Sequence, residues 1–97
     1  MEKLNNESIR EKIKNKDFEN IKDWDVINVT DVSNLFYNMI NFNFDISNLD
    51  VSNVINMSCM FEECDNFNQD IGNWNVSKWD LSDIFFQCSI FDIFKKN

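Results

Sequence analysis

The stretch DVSNVINMSCMF, Asp50 to Phe61, is nearly a copy of DVINVTDVSNLF, Asp25 to Phe36. Shifting the chain by 25 residues aligns Ile21, Ile46 and Ile71. It also aligns Val26, Val51 and Val76, and Trp24, Leu49 and Trp74. Val29 meets Val54 and Trp79, Val32 meets Met57, Leu35 meets Met60, Phe36 meets Phe61, and Phe42 meets Phe67. Self-similarity at a fixed period marks an architecture in which each unit covers the apolar side of its neighbour. The repeats run 24–48, 49–73 and 74–97. The third slips by one residue near Lys78–Asp80, after which Leu81, Ile84, Phe85, Cys88 and Phe91 continue the pattern. A divergent last unit is suited to capping the open end.

Two spacings alternate within a unit. Met57, Met60, Phe61 and Cys64 recur at steps of three and four, which predicts a short helical segment. Phe42, Phe44 and Ile46, then Phe67, Gln69 and Ile71, recur at steps of two, which predicts a short strand. Asn43, Asp45, Ser47, Asn68 and Asp70 then fall on the outer face of those strands. The expected fold is an α/β repeat solenoid: a short right-handed stack of about three coils, with parallel strands and short helical segments. Residues 1–20 do not repeat and read as an N-terminal helix cap, with 21–97 as the repeat body. In NNESIREKIKN, Asn6 or Ser8 suits the N-cap, and Ser8 with Glu11 has capping-box spacing. Leu4, Ile9 and Ile13 give this helix an apolar stripe against the first coil.

Composition narrows the function. The chain has 97 residues, no proline, one glycine and seventeen asparagines. Asn replaces glycine best where a turn needs positive φ, so the columns Asn28–Asn53 and Asn48–Asn73 are expected to form turn ladders. Net charge is −8, and between residues 24 and 94 Lys78 stands alone against the acids. This disfavours nucleic acid, whose phosphates need clustered Lys and Arg, and it disfavours anionic lipid. No stretch approaches the roughly 20 apolar residues of a membrane span. Three cysteines without metal-like spacing, and no histidine, suggest reduced thiols and a cytoplasmic chain as given. Location at the cell surface, within a longer exported precursor, is the alternative.

WDVINVTDVSNLF, LDVSNVINMSCMF and FNQDIGNWNVS resemble the 25-residue repeat of the BspA-like leucine-rich-repeat surface proteins, common in mycoplasma-type lipoproteins. The resemblance covers Ile21 to about Phe91. It implies a leucine-rich-repeat-like stack and a role in binding or adhesion rather than catalysis.

The residues offer few chemical sites. Asp45 and Asp70 share a column, and neighbouring coils of a parallel sheet lie about 4.8 Å apart. Such carboxylates either share a cation through oxygen ligands or point outward into water. The sequence has no histidine, no glycine-rich phosphate loop and no Ser/His arrangement. No catalytic residue, metal or cofactor is therefore expected. Cys64 and Cys88 share a column with Met39 and read as core, while Cys59 reads as the more exposed thiol. The expected function is a non-enzymatic protein-interaction module whose partner-binding face is Asn43, Asp45, Ser47, Asn68 and Asp70, with a protein partner that is basic. The alternatives are a fragment of a surface adhesin, and structural self-association as a homodimer through a C-terminal interface of Trp79, Phe91 and Phe94.

Overall fold

The computed structural model describes residues 2–79. One helix, α1 (Asn6–Lys14), opens the chain, and a 3-10 turn at Ile21–Asp23 follows. The cap of α1 lies one residue before the expected one. The Asn5 side chain accepts from the N–H groups of Glu7 and Ser8 at 3.0 and 2.9 Å, and the Ser8 hydroxyl accepts from the Asn5 N–H at 2.8 Å. The capping box is thus closed by Asn5 and Ser8, not by Ser8 and Glu11. Lys16, in left-handed conformation at φ 53°, ends the helix. Leu4, Ile9 and Ile13 are buried against the first repeat.

The expectation of an α/β solenoid built on short parallel strands is overturned. Among the described residues there is no strand, and α1 is the sole α-helix. Two isolated parallel bridges, Lys3 with Asp25 and Asp31 with Asn56, are all the β pairing there is among them. The leucine-rich-repeat-like sheet is therefore absent from this part of the chain.

The predicted helical segments are rows of tight turns. In the first unit Leu35 N–H donates to Val32 O, and Met39 N–H to Phe36 O, both at 3.1 Å. The third residue of each turn, Asn34 (φ 57°) and Asn38 (φ 60°), is left-handed. The second unit repeats this with Met60 to Met57, Cys64 to Phe61, and positive φ at Cys59 and Glu63. A positive φ at the third position is the mark of a type II turn. Successive turns four residues apart place their apolar residues at steps of three and four, as a helix would. A helix cannot contain a left-handed residue every fourth position.

The predicted strands at 42–46 and 67–71 also fail, because side chains take the bonds a ladder would need. The Asn43 Oδ1 accepts from Asn68 N–H at 2.8 Å, and Gln69 Nε2 donates to Asn43 O at 2.9 Å. Phe44, expected inside, is 44% exposed.

The register of the repeats is nonetheless real. Val32, Asn34, Phe36 and Asn38 donate their N–H groups to the carbonyls of Asn56, Ser58, Met60 and Glu62 at 2.8–3.0 Å. The first turn row therefore lies directly on the second. Val29, Ile46, Val54, Met57 and Ile71 are fully buried. Phe36 stacks on Phe42 (centroids 4.1 Å apart) and Phe61 on Phe67 (4.4 Å), so each unit adds an aromatic pair to a continuous core.

Asx turns fix the bends. Asp25, Asp50 and Asn75 each accept the N–H two residues on, from Ile27, Ser52 and Ser77. Asp31 and Asn56 do the same toward Ser33 and Ser58. These aspartates and asparagines form turns in a chain with one glycine and no proline.

Candidate functional site

Among the five predicted face residues, Asn43 bonds Asn68 and Asp45 bonds Ser47. Asn43, Asp45, Asn68 and Asp70 are exposed and Ser47 is half-buried. Asp45 Oδ1 accepts from the Ser47 hydroxyl at 2.7 Å and from the Ser47 N–H at 3.0 Å. These bonds, the hydroxyl's first, hold the Asp45 carboxyl below its ordinary pKa, so it is ionised near neutrality. Asp70 Oδ1 accepts from Gly72 N–H at 3.0 Å. Asn43 bridges the two units through its bonds with Asn68 and Gln69. The result is a polar face whose carboxylates are aimed by their own turns. Among the described residues, no group of three or more His, Cys, Asp or Glu is placed to hold a metal ion. No helix there is long and apolar enough to cross a membrane.

Of the predicted C-terminal interface, Trp79 alone lies among the described residues. Trp79 is 7% exposed and packs edge-on against Trp74 at 6.1 Å. It is a core residue rather than an exposed anchor. Phe91 and Phe94 lie outside the described residues.

The cysteine and asparagine columns also changed meaning. Cys64 is a buried free thiol, its pKa pushed up to about 11 by burial and then by Asp65. Cys59 is buried, not exposed. Left-handed geometry falls on Asn20, Asn34 and Asn38 rather than on the columns Asn28–Asn53 and Asn48–Asn73. Asn53 instead links units, donating to Ile27 O at 2.8 Å and accepting from Lys78 Nζ at 2.8 Å.

A second surface was not anticipated. Lys16, Phe18, Tyr37, Ile40, Phe42 and Phe44 line an open groove of about 620 Å³ at the end of the stack nearest α1. Tyr37, Ile40 and Phe44 are 48%, 49% and 44% exposed. Glu63 sits at the Tyr37 hydroxyl, and its charge, then its hydrogen bond, raise the phenol's pKa. The signal for this groove was a mismatch between repeats. The 25-residue shift sets Tyr37 against Glu62, Ile40 against Asp65, and Phe44 against Gln69.

A family model described as Mycoplasma protein of unknown function, DUF285, matches residues 5–96. The chain belongs to that family. The match takes in α1 and both described units, so helix and repeats form one family pattern. No curated protein and no solved structure matches the chain.

Proposed function

We propose that this DUF285 member is a non-catalytic protein-binding module that uses the face of Asn43, Asp45, Ser47, Asn68 and Asp70. The observation that carries this reading is the fixed orientation of its carboxylates. Asp45 and Asp70 are each held by a bond to the backbone N–H two residues on. Pre-aimed groups lose less rotamer freedom on binding than free ones. The fitting partner is a protein with a basic surface, because residues 24–79 hold eight acidic side chains against Lys78. The resemblance to BspA-like surface repeats supports binding over catalysis, and it favours an adhesive setting among binding roles.

Affinity capture from the native cell with wild type and with Asp45→Lys/Asp70→Lys tests the reading. Both positions are exposed, so the variant is expected to fold. The expected result is loss of the captured proteins with the variant. Retention of every partner by the folded variant would sink the proposed face.

A further inference from the structure

We propose that the first turn row presents, on its side away from the second unit, a line of backbone carbonyls that takes the arginine side chains of a basic peptide segment. The line follows from the direction of the bonds between units. Between residues 32 and 38 they run one way. The N–H groups of Val32, Asn34, Phe36 and Asn38 donate to the carbonyls of Asn56, Ser58, Met60 and Glu62. The N–H groups of Leu35, Tyr37 and Met39 are used inside the turns, on the carbonyls of Val32, Asn34 and Phe36. A turn row therefore offers N–H groups on one side and carbonyls on the other.

Twenty-five residues before Asn56, Ser58, Met60 and Glu62 stand Asp31, Ser33, Leu35 and Tyr37. Their carbonyls hold the same places in the first row. Asp31 O accepts from the Arg10 guanidinium at 3.3 Å. The carbonyls of Ser33, Leu35 and Tyr37 accept no bond from any donor among the described residues. Leu35 is buried, but Ser33 is half-buried and Tyr37 is exposed, so the line opens to solvent at those two residues.

The chemistry of the line selects its occupant. An ordinary sheet edge alternates donors and acceptors, and an extended strand pairs with it. This edge offers acceptors alone, so a strand laid along it would bring its own carbonyls against them. Arginine and lysine side chains carry donors and no acceptor. Arg10 shows the fit within the chain, since the nitrogen that reaches Asp31 O also lies 3.2 Å from Asp31 Oδ1. Charge points the same way. Glu63 and Glu62 both act on the Tyr37 hydroxyl, against Lys16 as the cation lining that end. Two carboxylates against one ammonium leave the place attractive to a further cation. Arginine suits it better than lysine, because a planar fork of donors spans neighbouring acceptors and a point charge does not. The line shares no residue with the face of Asn43 to Asp70 and stands or falls separately from it.

Titration of an arginine oligopeptide into the 15N-labelled full chain, followed by amide NMR, tests the proposal. The amides of Asn34, Phe36 and Asn38 report directly, because they share peptide groups with the carbonyls of Ser33, Leu35 and Tyr37. Saturable shifts are expected, largest at Asn34 and Asn38. A lysine peptide of the same length should bind at least ~3-fold more weakly. A citrulline peptide, neutral and carrying an acceptor on each side chain, should not bind. Asp45→Lys/Asp70→Lys should leave the shifts at Asn34 and Asn38 in place, whereas Glu62→Gln/Glu63→Gln should weaken them at least ~3-fold. The wild-type titrations decide by themselves if either variant fails to fold. Absence of shifts at these amides overturns the proposal, and so do shifts confined to the face of Asp45 and Asp70. Equal binding of the lysine peptide also overturns it, because net charge alone would then account for the contact.

Discussion

Phe18 stands over Phe42 with ring centroids 5.5 Å apart, and Phe42 stands over Phe67 at 5.9 Å. Phe18 comes from the part of the chain that does not repeat, yet it fills the place a preceding repeat would fill. It meets Phe42 edge-on at 62°, whereas Phe42 and Phe67 are nearly parallel at 14°. The cap therefore reproduces the position of a repeat phenylalanine without reproducing its backbone. The helix adds polar closure beside it: the Asn6 side chain accepts from Thr30 N–H at 2.9 Å and from Asp31 N–H at 3.2 Å. The two contacts together satisfy an end that would otherwise expose both ring faces and backbone donors.

Phe18→Ala should therefore destabilise the chain by about 2 kcal/mol, below the full core value because Phe18 is half-buried. Phe18→Leu should recover most of the loss. Urea unfolding of dilute protein checks both, through the midpoint at constant slope. A midpoint unmoved by Phe18→Ala would mean that the ring does not cap the stack.

Asn34 offers a test of the turn row that leaves the core untouched. It is exposed and left-handed at φ 57°. A β-branched residue adopts that region at a cost of about 1–2 kcal/mol, while glycine adopts it freely. Asn34→Val should lower stability by that amount, and Asn34→Gly should stay within about 0.5 kcal/mol of wild type. A helix at these residues would rank the two variants the other way, since glycine is the worse helix former. Equilibrium unfolding of the two proteins side by side decides between the geometries.

That ranking also shows what was legible in the sequence. The columns were legible because identity itself repeats: Ile21, Ile46 and Ile71 are all buried, as are Val29 and Val54. The backbone was not legible, because type II turns every four residues carry the same apolar spacing as a helix. Asn34 and Asn38 hinted at left-handed turns, but Cys59 and Glu63 occupy those positions in the second unit and hid the hint. The alternation from Phe42 to Ile46 looked like a strand. The side chains of Asn43 and Gln69 instead took the bonds between units. The exposure of Asn43, Asp45, Asn68 and Asp70 was legible, but the strand alternation that placed them outward was not, since Phe44 is exposed as well. The groove was missed because comparison of repeats rewards matches, and its evidence lies in mismatches such as Ile40 against Asp65.

The Asx turns make a prediction about acid. Asp50 is held below its ordinary pKa by the Ser52 hydroxyl first and then the Ser52 N–H, and Asp45 likewise by Ser47. For Asp25 the Lys3 ammonium leads, followed by the Ile27 N–H. Partial burial of Asp31 acts the other way, but the bonds from Ser33 and the charge of Arg10 outweigh it. In all four the folded pKa lies below the unfolded one. Their stabilisation is thus complete above the unfolded value of about 3.9 and is lost as pH falls through the folded values. The urea midpoint should be level from neutrality to about pH 5 and fall below about pH 4. Asn56 and Asn75 form the same turns without a titrating group. Asp45→Asn/Asp50→Asn should therefore fold at neutral pH with its turns intact and show a shallower acid limb. Midpoints measured at pH 7, 5, 4 and 3 for both proteins check this, and parallel acid limbs would show that these carboxylates do not drive the loss.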